Sequence, residues 1–416
     1  STFIKLWSTT PDPSQGTLYA ETGTQTLNYA ELDALEPQLV PVTDAAIISR
    51  LVPLTLKDVQ GGRAIGTSIS LDNATIGNVT DAVKLMAQGQ VRVPDFSLAA
   101  ANSTLTIVSA DDLVVGDWHA ANIAFQSTGL FDSSGSFAGG NVIVNAPLTK
   151  NGGGKATSVS LTAVSDITLN AAVTPTTGLS IVAGDAIKNL PSEIVVSGAG
   201  SYINLSSSAG LSLKTISADS VTLTSTGNQS GDGTIIVSGN ISIGAGPLTL
   251  DTSSELSQIQ GTMTGTGGLV LDGGGVLTLT QSSKNQLAAS TNVISGRLVV
   301  NGTITSTEPI FVAPGNTLSG SGTIAGPVII EDGATLSPGN SPGIVSVGSL
   351  TLDSGATFLA EITGTGTVAG TNYDQVLITD INGTVVLNGS TLVLDVTTQP
   401  TQSSIYRIID NTSSTD

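Results

Sequence analysis

The chain of 416 residues contains no cysteine. That excludes a disulfide framework and any metal centre built on thiolates. Aromatic residues make up 3% and charged residues 11% of the chain, against about a quarter charged in an ordinary globular domain. Histidine occurs once, at His119. Basic residues are scarce: 13 Lys and Arg stand against 32 Asp and Glu, a formal net charge of −19. Such a surface repels phosphate backbones, which excludes general nucleic-acid binding, and it disfavours contact with a bare anionic membrane. No apolar run reaches the roughly eighteen residues of a membrane-spanning helix, and no leader with a basic start and an apolar centre is visible. The chain opens on Ser1 instead of Met, as a mature product or an excised piece would.

What is abundant is glycine, with 49 residues, together with Ser, Thr and short aliphatic runs. A disordered chain is usually charged and poor in Val, Ile and Leu, so this composition argues for a folded one. The stretch from Ile259 to Val347 shows the plan most clearly. Leu269–Leu271, Leu277 with Leu279, Leu298–Val300 and Val328–Ile330 are separated by tight clusters of Gly, Asn, Asp, Ser and Pro. Each run is too short for a helix and reads as a strand bounded by turns. Upstream, from Asp112 to Asp251, the pattern apolar–x–apolar recurs at Val142–Val144, Val159–Leu161, Ile167–Leu169, Leu179–Ile181, Ile203–Leu205, Leu211–Leu213, Val221–Leu223, Ile235–Val237, Ile241–Ile243 and Leu248–Leu250. Strict alternation puts one face inward and the Ser/Thr face outward. Val159 to Leu179 and Ile167 to Ile187 give a period of about 20 residues, the length of a three-strand coil. The expected fold is all-β: a parallel β-helix solenoid with a non-repeat N-terminal cap or docking arm.

Three regions follow. Residues 1–61 hold Trp7, Tyr19, Tyr29, several prolines and two short helical candidates, Tyr29–Leu35 and Asp44–Leu51. A cap there would cover exposed strand edges; an arm would add a strand to a neighbouring subunit. In residues 62–258, strands are expected at Ser68–Leu71, Gln90–Val93 and Thr104–Ile107, with a helix-like stretch at Asp81–Gln88 and the solenoid starting there. Residues 259–416 carry the last coils, and Ser404–Asp410 pairs onto their end or onto another molecule.

The strings GGNVIVNAPL, VSLTAVSDITLNAAV and GLSIVAGDAI resemble the haemagglutinin-type repeats of large secreted bacterial exoproteins and adhesins. The blocks Gly333–Gly343 (GATLSPGNSPG), Leu350–Thr357, Glu361–Gly364, Thr371–Ile378 and Leu387–Leu394 are similar, in their order, to the C-terminal half of an autotransporter passenger. The resemblance implies a right-handed coil and a place outside the cell, on a bacterial surface. The absence of cysteine is in keeping with a chain that crosses an outer membrane unfolded. The Ser-Pro-Gly-Asn-Ser-Pro-Gly run reads as two structural turns in which Pro sets φ and each following Gly can take positive φ. Tyr373-Asp374 is expected to close a coil with a ring packed at a corner.

Chemistry is sparse. A Ser-His-Asp triad would have to use His119, and a triad is defined by geometry that a lone His does not supply. Asp111, Asp112 and Asp117 are the candidates for paired acids of a glycan-cleaving β-helix, with turn carboxylates as the favoured reading. The turns Asp272–Gly275 and Glu331–Gly333 offer oxygens to calcium, the one ion worth considering, although the repeated nonapeptide of calcium-binding β-rolls is absent. Gly152–Lys155 lacks the full phosphate-loop pattern. No catalytic, cofactor-binding or metal-ligating residue is therefore assigned. The expected function is that of an extracellular structural or adhesive protein, not an enzyme. It would project from the surface or assemble into a filament or layer, through the N-terminal arm and the C-terminal edge, or bind a cell-surface or host ligand. The alternative is a β-helical polysaccharide lyase or hydrolase.

Overall fold

The computed structural model describes residues 101–109, 111–131, 137–150, 152–227, 233–363, 365–400 and 404–411, together with the strands of the first hundred residues. Among the described residues there is no helix. Packing divides the chain into two compact units, residues 1–191 with 196–207, and residues 192–195 with 208–416. In each, parallel strands stack as a β-solenoid.

In the first unit, one sheet runs Ala82–Ala87, Thr104–Ser109, Asn122–Ser127, Ser158–Ala163, Gly178–Ala183 and Tyr202–Ser207, each strand parallel to the one before. A second sheet runs Leu113–Val115, Val142–Val144, Ile167–Leu169 and Ile187–Lys188. The pairings Val159 to Leu179 and Ile167 to Ile187 are those the sequence period implies. Inward rows such as Leu105, Ile123, Val159, Leu179 and Ile203 are buried, and Trp118 stands edge-on to Phe125 with ring centroids 5.1 Å apart.

Ala82–Ala87 is a strand, which corrects the helix-like reading of Asp81–Gln88. Ala, Lys, Leu and Met favour helix, but six residues cannot nucleate one alone. Alternation lets Val83 and Leu85 fall in register with Leu105 and Ile107, and pairing decides the outcome. The strands Ile69–Ser70 and Val91–Arg92 pair in parallel, inside the expected segments. In the N-terminal region Lys5–Ser8 and Leu18–Glu21 pair antiparallel, whereas Gln25–Leu27 and Leu54–Leu56 pair parallel. The helical candidates Tyr29–Leu35 and Asp44–Leu51 lie outside the described residues.

The second unit has three strands per coil. A first sheet stacks Ser220–Ser225, Leu248–Thr252, Leu269–Asp272, Thr291–Val293 and Ile310–Val312. It continues through the ends of Thr323–Ile330 and Ile344–Leu352 to Val385–Leu387. A second sheet stacks nine strands, from Leu211–Leu213 to Thr391–Val396. A third includes Ile241–Ile243, Thr262–Gly265, Lys284–Leu287, Gln375–Ile378 and Ile409–Asn411. From Leu248 to Leu350 the paired residues recur at about 18 to 22 positions, with aliphatic side chains stacked in the core. Each fully buried Leu or Ile contributes about 1.5–3 kcal/mol, which is how a core without large rings suffices.

The corner before the second sheet shows how register is kept. Gly315, Gly333, Gly355 and Gly389 have φ of +80°, +77°, +84° and +80°. Two residues after each comes a threonine, Thr317, Thr335, Thr357 or Thr391, and these four pair in sequence. The repeated left-handed glycine sends the backbone into each strand at the same phase, so the next residue, Leu318, Leu336, Phe358 or Leu392, falls in the inward row.

Candidate functional site

The residues singled out in the first unit tie coils together. Asp112 Oδ1 accepts from the backbone N–H of Asn141 at 3.0 Å and from its Nδ2 at 2.8 Å. Asn141 Oδ1 accepts from the Asp166 N–H at 3.0 Å, and Asp166 Oδ1 from the Ala186 N–H at 3.0 Å. Lys188 closes this ladder with an ion pair to Asp166, which raises the Lys188 pKa through the hydrogen bond and then through its charge. At the other end of the same strands Asn189 donates to Asn170 at 3.0 Å, and Asn170 to Asn145 at 2.9 Å. Asp111 Oδ1 accepts from the Asp112 N–H at 2.8 Å, a local turn bond. Asp111 and Asp112 thus take the roles of turn carboxylates.

His119 sits between Thr149, whose Oγ1 is 2.7 Å from Nδ1, and Asp117, whose Oδ1 is 3.4 Å from Nε2. The order acid–imidazole–hydroxyl is that of an acyl-transfer triad, but the long acid contact is too weak to orient the ring. The N–H following the hydroxyl residue, on Lys150, donates to Gly154 O at 2.7 Å and is committed to the loop. That loop is a tight turn, with Gly152 and Gly153 at φ +82° and +80°. His119 links neighbouring coils here.

In the second unit, Asp272 Oδ1 accepts from the Gly273 N–H at 2.8 Å. Asp251 lies in register with Asp272, and its carboxyl is pushed above the usual range by burial and then by the Asp272 charge. Asp332 stands beside Gly355 of the next coil. Among the described residues, no group of three or more His, Asp or Glu side chains gathers where a metal ion could be held.

In the Ser-Pro-Gly-Asn-Ser-Pro-Gly run the positive φ values fall on one glycine and one serine. Gly339 takes φ +90°, but the second positive φ, +71°, falls on Ser341 and not on Gly343. Gly343 is fixed instead by a hydrogen bond: its N–H donates to Asp374 Oδ1 at 2.8 Å, while Asp374 Oδ2 accepts from the Glu361 N–H at 2.9 Å. Asp374 is 3% exposed. Burial pushes its carboxyl above the usual range, against the pull of the two N–H donors. Tyr373 packs at the corner as expected, buried and edge-on to Tyr406 at 5.1 Å.

Two features stand open to solvent, of which the sequence reading anticipated the C-terminal edge and not the groove. One is a groove of about 320 Å³ along the ends of the second-sheet strands, lined by Gln258, Thr278, Thr280, Gln281, Asn301, Ser321 and Asn340. None is charged or aromatic. Asn301 Oδ1 organises one wall, accepting from Asn340 Nδ2 at 2.7 Å and from the Ser321 N–H at 3.2 Å. The signal was present in sequence as an amide or hydroxyl just past successive strands, at Thr280, Asn301 and Ser321.

The other is the terminal coil. Thr391–Val396 pairs with Thr357–Ile362 and, among the described residues, with no other strand. Leu392, Leu394 and Val396 continue the inward rows of Phe358, Ala360 and Ile362, which are buried, yet are themselves 49%, 48% and 45% exposed. Val386, Leu387 and Val393 are exposed beside them. Ile409–Asn411 pairs with Val376–Ile378 on the third sheet, so only the end of the expected Ser404–Asp410 segment joins the stack.

No family model matches this chain, and neither does any curated protein or solved structure.

Proposed function

We propose that this chain is a structural and adhesive β-helix of the bacterial cell surface, of the autotransporter-passenger and haemagglutinin-repeat type, and that it associates with a second copy of itself through its terminal coil. The solenoid, the acidic and Ser/Thr-rich surface and the lack of cysteine support a stiff extracellular element in preference to an enzyme. Of the side chains weighed as candidates for chemistry, Asp111 holds a local turn, and Asp112 and His119 bond to neighbouring coils. In this reading calcium is not required.

The observation that carries the proposal is the exposed inward row Leu392, Leu394 and Val396 on a strand that, among the described residues, has a partner along one edge only. An unpaired edge is a template for another β-strand. The partner must also offer alternating aliphatics at the spacing of a solenoid core, which a second copy does. Covering the exposed halves of three aliphatic side chains contributes about 2–4 kcal/mol before the costs of association. Two chains of charge −19 repel one another, so association strengthens as salt screens them. The N-terminal segment serves as a second connector.

Sedimentation velocity on the full chain tests this. A concentration-dependent dimer or larger species, favoured by salt and lost in the variant Leu392→Lys/Leu394→Lys, is expected. A monomer at every concentration and salt, or association unchanged by the double variant, overturns self-association through this coil. Negative-stain microscopy with and without residues 1–60 then tests the connector: filaments that persist on truncation remove the arm from the reading.

A further inference from the structure

We infer that the groove on the second unit is a binding site for a neutral, extended oligosaccharide. This goes beyond the structural reading and does not depend on self-association.

The argument starts from what lines the groove. Gln258, Thr278, Gln281, Asn301, Ser321 and Asn340 are all amides or hydroxyls, each of which both donates and accepts. Sugar hydroxyls have the same dual character. On a chain of net charge −19, a 320 Å³ groove lined without a single carboxylate is set apart from its surroundings. It holds no charged side chain, and three of its lining residues are tied together by the Asn301 bridge to Asn340 and Ser321.

Shape points the same way. The lining residues come from five successive coils, at 258, 278–281, 301, 321 and 340. Coils stacked about 4.8 Å apart make the groove about 19 Å long, enough for several sugar units laid across the strands. An extended peptide fits less well. Peptides bind solenoids by adding to a free strand edge and filling alternate side-chain pockets. The strands bordering the groove are paired on both sides within the sheet, and the lining holds no apolar pocket. Without an aromatic platform for stacking, affinity is modest and recognition of a polymer depends on length.

The test is a saturation-transfer difference NMR titration of the full chain with cellopentaose, maltopentaose and mannopentaose. The comparison protein is the variant Thr278→Ala/Gln281→Ala, which leaves the Asn301 bridge in place. Saturable binding of at least one pentasaccharide is expected, insensitive to salt and weakened about tenfold by the loss of two hydrogen-bonding side chains. Three results overturn the inference: no saturable binding to any of the three, equal binding by the variant, or displacement of the sugar by the neutral hexapeptide Ser-Thr-Ser-Thr-Ser-Thr at lower concentration.

Discussion

Asp374 offers a test in which the sign of an effect decides the argument. Its carboxylate is buried and holds two backbone donors, Gly343 N–H at 2.8 Å and Glu361 N–H at 2.9 Å. Replacing it with Ala strands both donors, at about 1–3 kcal/mol each, while relieving the desolvation of the charge. The net expectation for Asp374→Ala at neutral pH is a loss of about 2–4 kcal/mol in the last coils. Its pH dependence follows from the direction of the pKa shift. Burial raises the native pKa above the unfolded value, so the native state binds the proton more readily. For such an acid, stability increases as pH falls through the native pKa, and the gain is complete below the unfolded value of about 3.8. The gap between wild type and Asp374→Ala therefore widens from neutral pH towards pH 4. Hydrogen-exchange mass spectrometry on peptides covering 339–347 and 357–363 reads both effects locally, with about tenfold faster exchange per 1.4 kcal/mol. If the gap narrows on acidification, the two N–H donors outweigh burial, the pKa is depressed, and the account of this corner is wrong.

Two further outcomes follow from the coils themselves. Ser283 Oγ is buried without a hydrogen-bond partner, so Ser283→Ala is expected to stabilise the second unit by about 1 kcal/mol, read as a higher urea midpoint; a lower midpoint would mean the hydroxyl has a partner. Gly355 and Gly389 occupy equivalent corners with φ +84° and +80°, but a Cβ on Gly355 would come 2.0 Å from Asp332 Oδ1, whereas Gly389 faces open space. Gly389→Ala and Gly355→Ala should each cost about 1–2 kcal/mol from backbone conformation, because the exposed Asp332 carboxylate can swing aside; a thermal midpoint clearly lower for Gly355→Ala would show that Asp332 is held in place.

The core of this molecule was legible because the inward positions obey one rule on every coil. Val159, Leu179 and Ile203 announce their alternation and their spacing, and the stack simply follows them. Ala82–Ala87 misled because its residues favour helix individually, and the strand they pair with lies twenty residues away, where local propensity carries no information. The second turn of the Ser-Pro-Gly run was left open for a related reason. Glycine can take positive φ but need not, and Gly343 is held by Asp374, thirty-one residues downstream. Hydrogen bonds between coils have this long reach throughout, as in the chain from Asp112 through Asn141 to Asp166. Asp111, Asp112 and Asp117 read singly as turn carboxylates; read in register, Asp112 is one rung of a ladder.

The same logic locates function on a solenoid. Inward positions are committed to the core and outward positions at strand centres to a flat surface, so neither varies freely without cost to the stack. Freedom remains where a strand ends and the chain turns, and where an inward row is left exposed. The groove built on Thr278, Gln281 and Asn301 occupies the first kind of place, and Leu392, Leu394 and Val396 the second. Each is defined by residues from several coils that no contiguous motif contains. Gln258 and Asn340 meet in one groove although eighty-two positions separate them, because about 20 residues of chain return to the same corner on every coil. A search for short motifs passes over such a site, whereas writing the sequence out coil by coil places Thr280, Asn301 and Ser321 in one column and Gln258 and Thr278 in another, two positions before it.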